Sequence, residues 1–322
     1  MQCIAGIDIG GTKCAVSLGK VSENTVEIID KIKIKTPTSP EDAIHAMVDR
    51  LKELITKHSE CKLESIGISC GSPLDSKKGL ILSPPNLSNW DSVDILTPFR
   101  QEFHVPAAVQ NDANACALAE WLWGAGKGCE NMIFLTFGTG MGAGLILNNK
   151  LYVGTNDMAG EVGHIRLEKE GPVGYHKAGS FEGFCSGGGI AKFSRAAVEE
   201  YKTREKHTKI LEIQPDIDKI TTADVGKAAE EGDDLALQIF RKVGKQLGKG
   251  LSILIDTLNP QRIVIGSIFL RQEKLLREPM EAVIAQEALS YNREVCEIVA
   301  AGLGEQIGDY AALSVAFNSI RR

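Results

Sequence analysis

Apolar residues along the chain fall into short runs that alternate with glycine turns and helical periodicities. An apolar start leads into Gly6–Ile9, which reads as a buried strand carrying Asp8 at its end. Gly10 and Gly11 follow as a tight turn, and Cys14–Leu18 reads as a second strand, so the segment predicts a hairpin. Ser39 caps a helix with Pro40 at its first position and Glu41 and Asp42 in its first turn. Ala43, Ile44, Met47, Val48, Leu51, Leu54 and Ile55 recur at helical spacing on one face of it. Leu63–Cys70 reads as a strand ending in Gly71-Ser72-Pro73. Val105–Val109 is a short strand that delivers Gln110, Asn111 and Asp112, and Ala113–Trp123 is a helix leaving them. Asn131–Phe137 and Leu145–Leu147 are strands on either side of the glycine cluster Gly138–Gly144. Residues 152–187 are loop-rich, and helices dominate thereafter. The longest runs from Asp233 to Leu258 and carries Gly244 and Gly248 one turn apart, which cost helix stability and call for close packing or a ligand. Arg262–Gly266 is a late strand, and Gly308–Ile320 predicts a final amphipathic helix. Strands alternating with helices in this way predict an α/β fold.

The chain has 322 residues, which suits two domains of similar size. Hydrophobic content of 43% and charge of 24% are ordinary globular values, and a net charge of −6 without a basic run gives nucleic-acid binding no support. No apolar stretch reaches membrane-span length, and no basic-then-apolar leader opens the chain, so a cytoplasmic protein with no membrane partner is expected. None of the eight cysteines forms a C-x-x-C pair, and Cys3 and Cys70, in apolar strands, are expected to be buried thiols.

Two strand-turn-strand segments rich in glycine, over a hundred residues apart, suggest two half-sites that grip one polyphosphate. Gly10 and Gly11 remove side chains that would hold a phosphate off the backbone, Thr12 and Lys13 add a hydroxyl and a cation, and Asp8 can hold a metal directly or through water. Neither a P-loop nor a dinucleotide fingerprint is present. Asp112, at a strand end, can orient an alcohol and accept its proton, as phosphoryl transfer requires; its plainer reading is the N-cap of the following helix. Glu161 and His164, with Glu182 and His176 further along the loop, can exchange several hydrogen bonds with a neutral sugar; their plainer reading is an exposed polar turn.

Taken together, Asp8-Ile-Gly-Gly-Thr-Lys13, Gly71-Ser-Pro73, Asn111-Asp-Ala-Asn114, Gly138–Gly144, Gly160-Glu-Val-Gly-His164 and Asn259–Gly266 resemble the ROK sugar kinases over essentially the full length. The resemblance implies a two-domain actin-like ATPase, RNase H-like fold with an interdomain cleft. The domains are expected at 1–112 plus about 308–322 and at 113–307. It implies ATP-dependent phosphorylation of a hexose hydroxyl, usually O6, with ATP and Mg²⁺ as cofactors and a homodimer as the expected assembly. By that resemblance Asp112 is the catalytic base, and Asn86, Asn111, Glu161, His164 and Glu182 touch the sugar. Gly10, Gly11, Thr12 and Lys13 with Gly138, Thr139 and Gly140 line the ATP phosphates, Gly266 lies near the nucleotide, and Asp8 serves Mg²⁺.

Two departures stand out. Many members carry a three-cysteine zinc loop after the Gly-His, and here Val173, Tyr175 and Ser180 occupy the cysteine positions. His164, His176 and Cys185 remain nearby, but their spacing does not build a tetrahedral site, so no zinc is expected and the loop is expected to be held by packing through Pro172, Tyr175 and Phe181. Ser267 stands where a glycine is more usual after Gly266. The family also contains repressors; with the phosphate hairpin beginning at residue 6, a winged-helix domain ahead of it is not expected. The alternative to a kinase is therefore a weakly catalytic sugar sensor or regulator.

Overall fold

The computed structural model describes residues 1–23 and 25–321. The chain begins with strands β1 (Gln2–Ile9), β2 (Lys13–Ser22) and β3 (Thr25–Lys35), helix α1 (Pro40–Lys57) and strand β4 (Lys62–Cys70). Short strands β5 (Leu74–Asp75), β6 (Leu80–Leu82) and β7 (Asp91–Asp94) lead to α2 (Leu96–Phe103), β8 (Ala107–Asn111) and α3 (Asp112–Trp123). Next come β9 (Met132–Phe137), β10 (Met141–Leu147) and β11 (Lys150–Tyr152), then β12 (Val173–Gly174) and β13 (Lys177–Ala178). The helical part holds α4 (Phe181–Cys185), α5 (Gly187–Thr203), α6 (Ile210–Ile213), α7 (Thr222–Glu230) and α8 (Asp234–Leu258). It is followed by β14 (Arg262–Ile265), α9 (Ile268–Glu287), α10 (Ser290–Arg293), β15 (Glu297–Ala300) and α11 (Ile307–Ile320).

The first sheet has the order β3-β2-β1-β4-β8, antiparallel from β3 to β1 and parallel from β1 to β8. Side chains alternate across it. Cys3, Ala5, Ile7 and Ile9 pack with Ala43, Met47 and Leu51 of α1 in one buried cluster, while Ile4 on the opposite face packs with Leu313 and Ala316 of α11. Gly6 and Gly67 lie under α11: a Cβ at Gly67 would stand 2.1 Å from the Ala312 carbonyl oxygen. The final helix is not amphipathic as its sequence suggested. Residues 311–316 are all buried, because the helix is enclosed by sheet and by α3. Cys3 is not a free thiol either; it forms a disulfide with Cys61, whereas Cys70 is free and buried as expected.

A second five-stranded sheet has the order β11-β10-β9-β14-β15. The helix predicted from Asp233 begins one residue later, with Asp233 as its cap. Its glycines give the close packing they implied: a Cβ at Gly244 would meet Pro279 of α9 at 2.6 Å, and one at Gly248 would meet the Met280 carbonyl at 2.6 Å.

The chain divides into two compact units, residues 1–134, 144–159 and 302–322 in the first and 135–143 and 160–301 in the second. The boundaries differ from the expected ones at 112/113 and 307/308. Helix α3 stays with the first unit because it packs against α11, and its buried Glu120 accepts N–H bonds from Ala125, Gly302 and Leu303 at 2.7, 3.0 and 2.9 Å. Among the described residues no helix is long and apolar enough to cross a membrane.

Candidate functional site

In the first unit, the alternation of β1 that buries Ile4 against α11 also places Asp8 on that face, toward the start of α3. The turn after it is tight: the Gly10 N–H donates to the Lys13 carbonyl at 3.1 Å, and the Thr36 hydroxyl donates to the Gly10 carbonyl at 2.6 Å. Gly11 lies directly against Asn86, where a Cβ would come within 2.3 Å of the Asn86 carbonyl oxygen; the Asn86 side chain in turn lies beside Gly71. Three separate sequence motifs thus meet here. Thr12 and Lys13 are exposed at the start of β2.

Asn111, rather than Asp112, is the N-cap of α3. Its Oδ1 accepts the Asn114 N–H at 2.7 Å, which displaces the plainer reading of Asp112 as the cap. Asp112 occupies the first helical position, and its Oδ1 accepts the Ala113 N–H at 2.9 Å. Asp112 is exposed to solvent, yet the protein packed around its carboxyl pushes its proton affinity up, with the Ala113 N–H pulling the other way. Asp8 is pushed up to about 6, by burial first and by the negative charge of Asp112 next; Lys31 opposes both, but is itself bonded to Asp309. The pair therefore carries more negative charge than its protein surroundings neutralise, and carboxylates so placed suit a divalent cation.

In the second unit, Gly138 and Thr139 dock on the start of α5: the Gly187 N–H donates to the Gly138 carbonyl at 2.7 Å and the Gly188 N–H to the Thr139 carbonyl at 3.4 Å. They form one wall of an open pocket of about 530 Å³, whose other walls include Thr221 and Lys227 at α7 and Ser267 and Arg271 at α9. Gly140 and Gly266 do not line it. Gly140 lies by Glu182, and Gly266 closes β14 with its N–H on the Leu135 carbonyl at 3.0 Å. Ser267 adopts φ 51° and ψ −105°, a conformation that a side chain disfavours and glycine tolerates, which explains why glycine is the easier residue there. The sequence did not flag Thr221, Thr222, Lys227 or Arg271. The one signal that could have was Thr221-x-x-Asp224, a capping box that marks a helix start, from which the Thr222 hydroxyl reaches the Gly187 carbonyl at 2.8 Å.

Glu161 and His164 are exposed on a short 3₁₀ turn, and Glu182 is half-buried on α4, where its Oε2 accepts the Met141 N–H at 3.1 Å. The residues at the cysteine positions have other work. Val173 sits on β12, Tyr175 in the turn after it, and Ser180 caps α4 by accepting the Gly183 N–H at 3.1 Å. Phe181 is fully buried and Pro172 half-buried, as expected, but Tyr175 is 70% exposed and packs into no core. Main-chain bonds hold the loop instead: Gly179 N–H to Pro172 carbonyl at 3.0 Å, Leu167 N–H to Gly179 carbonyl at 2.9 Å and Phe181 N–H to Ile165 carbonyl at 2.8 Å. His176 is exposed, whereas the Cys185 thiol is buried and donates to the Val243 carbonyl at 3.7 Å. Among the described residues, no three His, Cys, Asp or Glu side chains are grouped to hold a metal ion.

The sequence is 32% identical to a glucokinase of Halalkalibacterium halodurans over 312 residues, 94% of this chain and 91% of that one. It is 27% identical to the xylose repressor of Bacillus subtilis, over 93% of this chain and 73% of the repressor. The fold matches a ROK family glucokinase from Streptomyces griseus in complex with glucose and AMPPNP, with a TM-score of 0.76 and 29% identity, covering 98% of this chain and 99% of the other. The ROK family model matches residues 4–318, a span that includes both glycine turns, the Asn-Asp pair and the Gly-His turn: the chain belongs to the ROK family, with its two-domain actin-like ATPase fold.

Proposed function

We propose that the protein is an ATP-dependent hexose kinase that transfers the γ-phosphoryl group to a sugar hydroxyl, with Asp112 as the base. The observation that carries this reading is the Asp8–Asp112 pair. Asp112 is relieved of the capping role by Asn111, and its proton affinity is raised by its surroundings, the direction that makes a carboxylate a better proton acceptor. One of its oxygens is held by the Ala113 N–H, so Oδ2 takes the proton. Asn111 spends its Oδ1 on the helix and keeps its amide N–H₂ for the sugar. Glu161, His164 and Glu182 supply the remaining sugar contacts, and Asn86, set against the Gly11 turn, completes them.

The pocket at the start of α5, α7 and α9 takes the nucleotide. Thr221, Thr222 and Gly188 are at helix N-termini, which favour negative charge, and Lys227 and Arg271 are cations beside them. Gly10 to Lys13 and Gly138 to Gly140 serve the phosphates. A magnesium ion bound through Asp8, directly or through water, would supply neutralisation of phosphate charge. The glucokinase relatives and the AMPPNP complex support ATP and a hexose as ligands. A panel of glucose, mannose, fructose and N-acetylhexosamines with Mg-ATP, read by ADP release, tests the proposal; no turnover on any of them overturns it. The likeness to the xylose repressor favours one rival, a sugar-responsive regulator, which binds a sugar in the same assay without consuming ATP.

A further inference from the structure

The hairpin of β12 and β13 touches the proposed sugar-binding residues from two sides. Its turn is made by Tyr175 and His176, at φ 38° and 65°, the left-handed backbone that a two-residue loop between the paired Gly174 and Lys177 requires at both positions. The hairpin turns no hydrophobic residue inward at this point: Tyr175 is 70% exposed and Val173 46%. Instead the Tyr175 ring stands edge-on to the His164 imidazole, with centroids 6.4 Å apart and planes at 76°. The next strand residue, Lys177, donates from Nζ to the His164 carbonyl at 2.7 Å. On the other side, Gly174 lies so near α4 that a Cβ there would meet the Glu182 Cβ at 2.9 Å.

We infer that Tyr175 is a positioning residue: its ring fixes the orientation of the His164 imidazole for the sugar, in a loop without the three cysteines, and Lys177 fixes the backbone beneath it. The inference rests on the proposed sugar-binding role of His164. An edge-to-face aromatic pair has the right scale for the task, since its typical contribution changes an equilibrium by up to about tenfold. The ring makes the contact, so the hydroxyl is dispensable; were Tyr175 itself a sugar ligand, the hydroxyl would be the group that matters.

The test compares Tyr175→Ala with Tyr175→Phe. The His164 side-chain rotamer, read by NMR from its side-chain coupling constants with resonances assigned by their loss in His164→Gln, is followed in the unliganded protein, and the KM values for hexose and ATP are measured alongside. Tyr175→Ala is expected to turn the single His164 rotamer into a mixture and to raise the hexose KM by up to about tenfold while leaving the ATP KM unchanged. Tyr175→Phe is expected to restore both. A single, unchanged His164 rotamer in Tyr175→Ala, an unchanged hexose KM, or a Phe variant as impaired as the Ala variant each overturns the inference. If the wild-type protein turns over no hexose, the functional reading fails on its own, and the rotamer still decides whether Tyr175 holds the His164 ring.

Discussion

At the residue scale, the acids of the candidate site set function against stability. The Asp8 carboxyl keeps its proton up to about pH 6 in the folded protein, whereas an ordinary aspartate loses it near 3.8. Between those values the folded state binds more protons than the unfolded one, so stability falls as pH rises through this window, and above it the loss is complete, at most about 3 kcal/mol. Asp8→Asn removes the buried charge. The variant is therefore expected to gain stability over wild type at about pH 7.5 and none at about pH 3.5, where both carry no charge at this site, while losing Mg-dependent turnover. Urea melts at the two pH values check this; an equal difference at both would refute it. Asp112→Asn is expected to lower turnover by about 10²–10⁴-fold with a melting temperature at neutral pH no lower than that of wild type, because Asn111 holds the helix end without it and the surroundings disfavour the Asp112 charge. Ser267 gives a third prediction. Its φ of 51° and ψ of −105° strain a side chain, and its hydroxyl receives a surface contact from Arg271 at 3.1 Å. Ser267→Gly should stabilise the protein by about 1 kcal/mol after the added freedom of the unfolded chain is subtracted, read as a shift in denaturation midpoint.

At the element scale, the decisive contact is α11 on β1 and β4. Sequence periodicity gave the right span for this helix, 308–320 against the observed Ile307–Ile320, but the wrong character. A helix enclosed on several sides has no polar stripe, and Ser314, which interrupts the apolar run, is buried with its hydroxyl between the Ala311 and Ala115 carbonyls at 2.6 and 2.9 Å. What the sequence could not display is the depth of the approach, because it depends on glycines from strands far away in the chain. A Cβ at Gly67 would lie 2.1 Å from the Ala312 carbonyl and 2.2 Å from the Ala316 nitrogen, both backbone atoms that cannot swing aside. Gly67→Ala is thus expected to cost about 3 kcal/mol, measured by urea denaturation, as overpacking forces helix and sheet apart. A loss under about 0.5 kcal/mol would show that α11 can shift freely, as surface substitutions show.

At the scale of the whole molecule, the most legible parts were those where chemistry dictates residue type. Glycine at 10, 11, 138 and 140, Asp8 and the Asn111-Asp112 pair were singled out for the chemistry of phosphate and alcohol handling, and each lies at the strand end where the sequence placed it. The far wall of the pocket at the starts of α5, α7 and α9 was illegible. Thr221, Lys227 and Arg271 are ordinary helix residues, and only the packing of α5, α7 and α9 gives them a common target. The division into units was equally hidden, since it depends on contacts of α3 with α11 across nearly two hundred residues. The last prediction follows from what kind of acceptor the site is built for. Water is always present at far higher concentration than any sugar, so a phosphoryl-transfer enzyme that left its base active toward water would waste ATP. On the proposed reading a sugar offers Asp112, Glu161, His164 and Glu182 several hydroxyls to bind where water offers one, so full engagement of an acceptor needs a ligand with several hydroxyls. ATP consumption should therefore be low without sugar and rise by at least about 10²-fold with a saturating hexose of the right shape, as expected when substrate binding energy assembles the site. Glu161→Gln and His164→Gln should lower that stimulation without raising the sugar-free rate. ATP hydrolysis that proceeds equally with and without sugar would refute this account, and sugar binding with no ATP consumption would assign the protein to the regulators of its family.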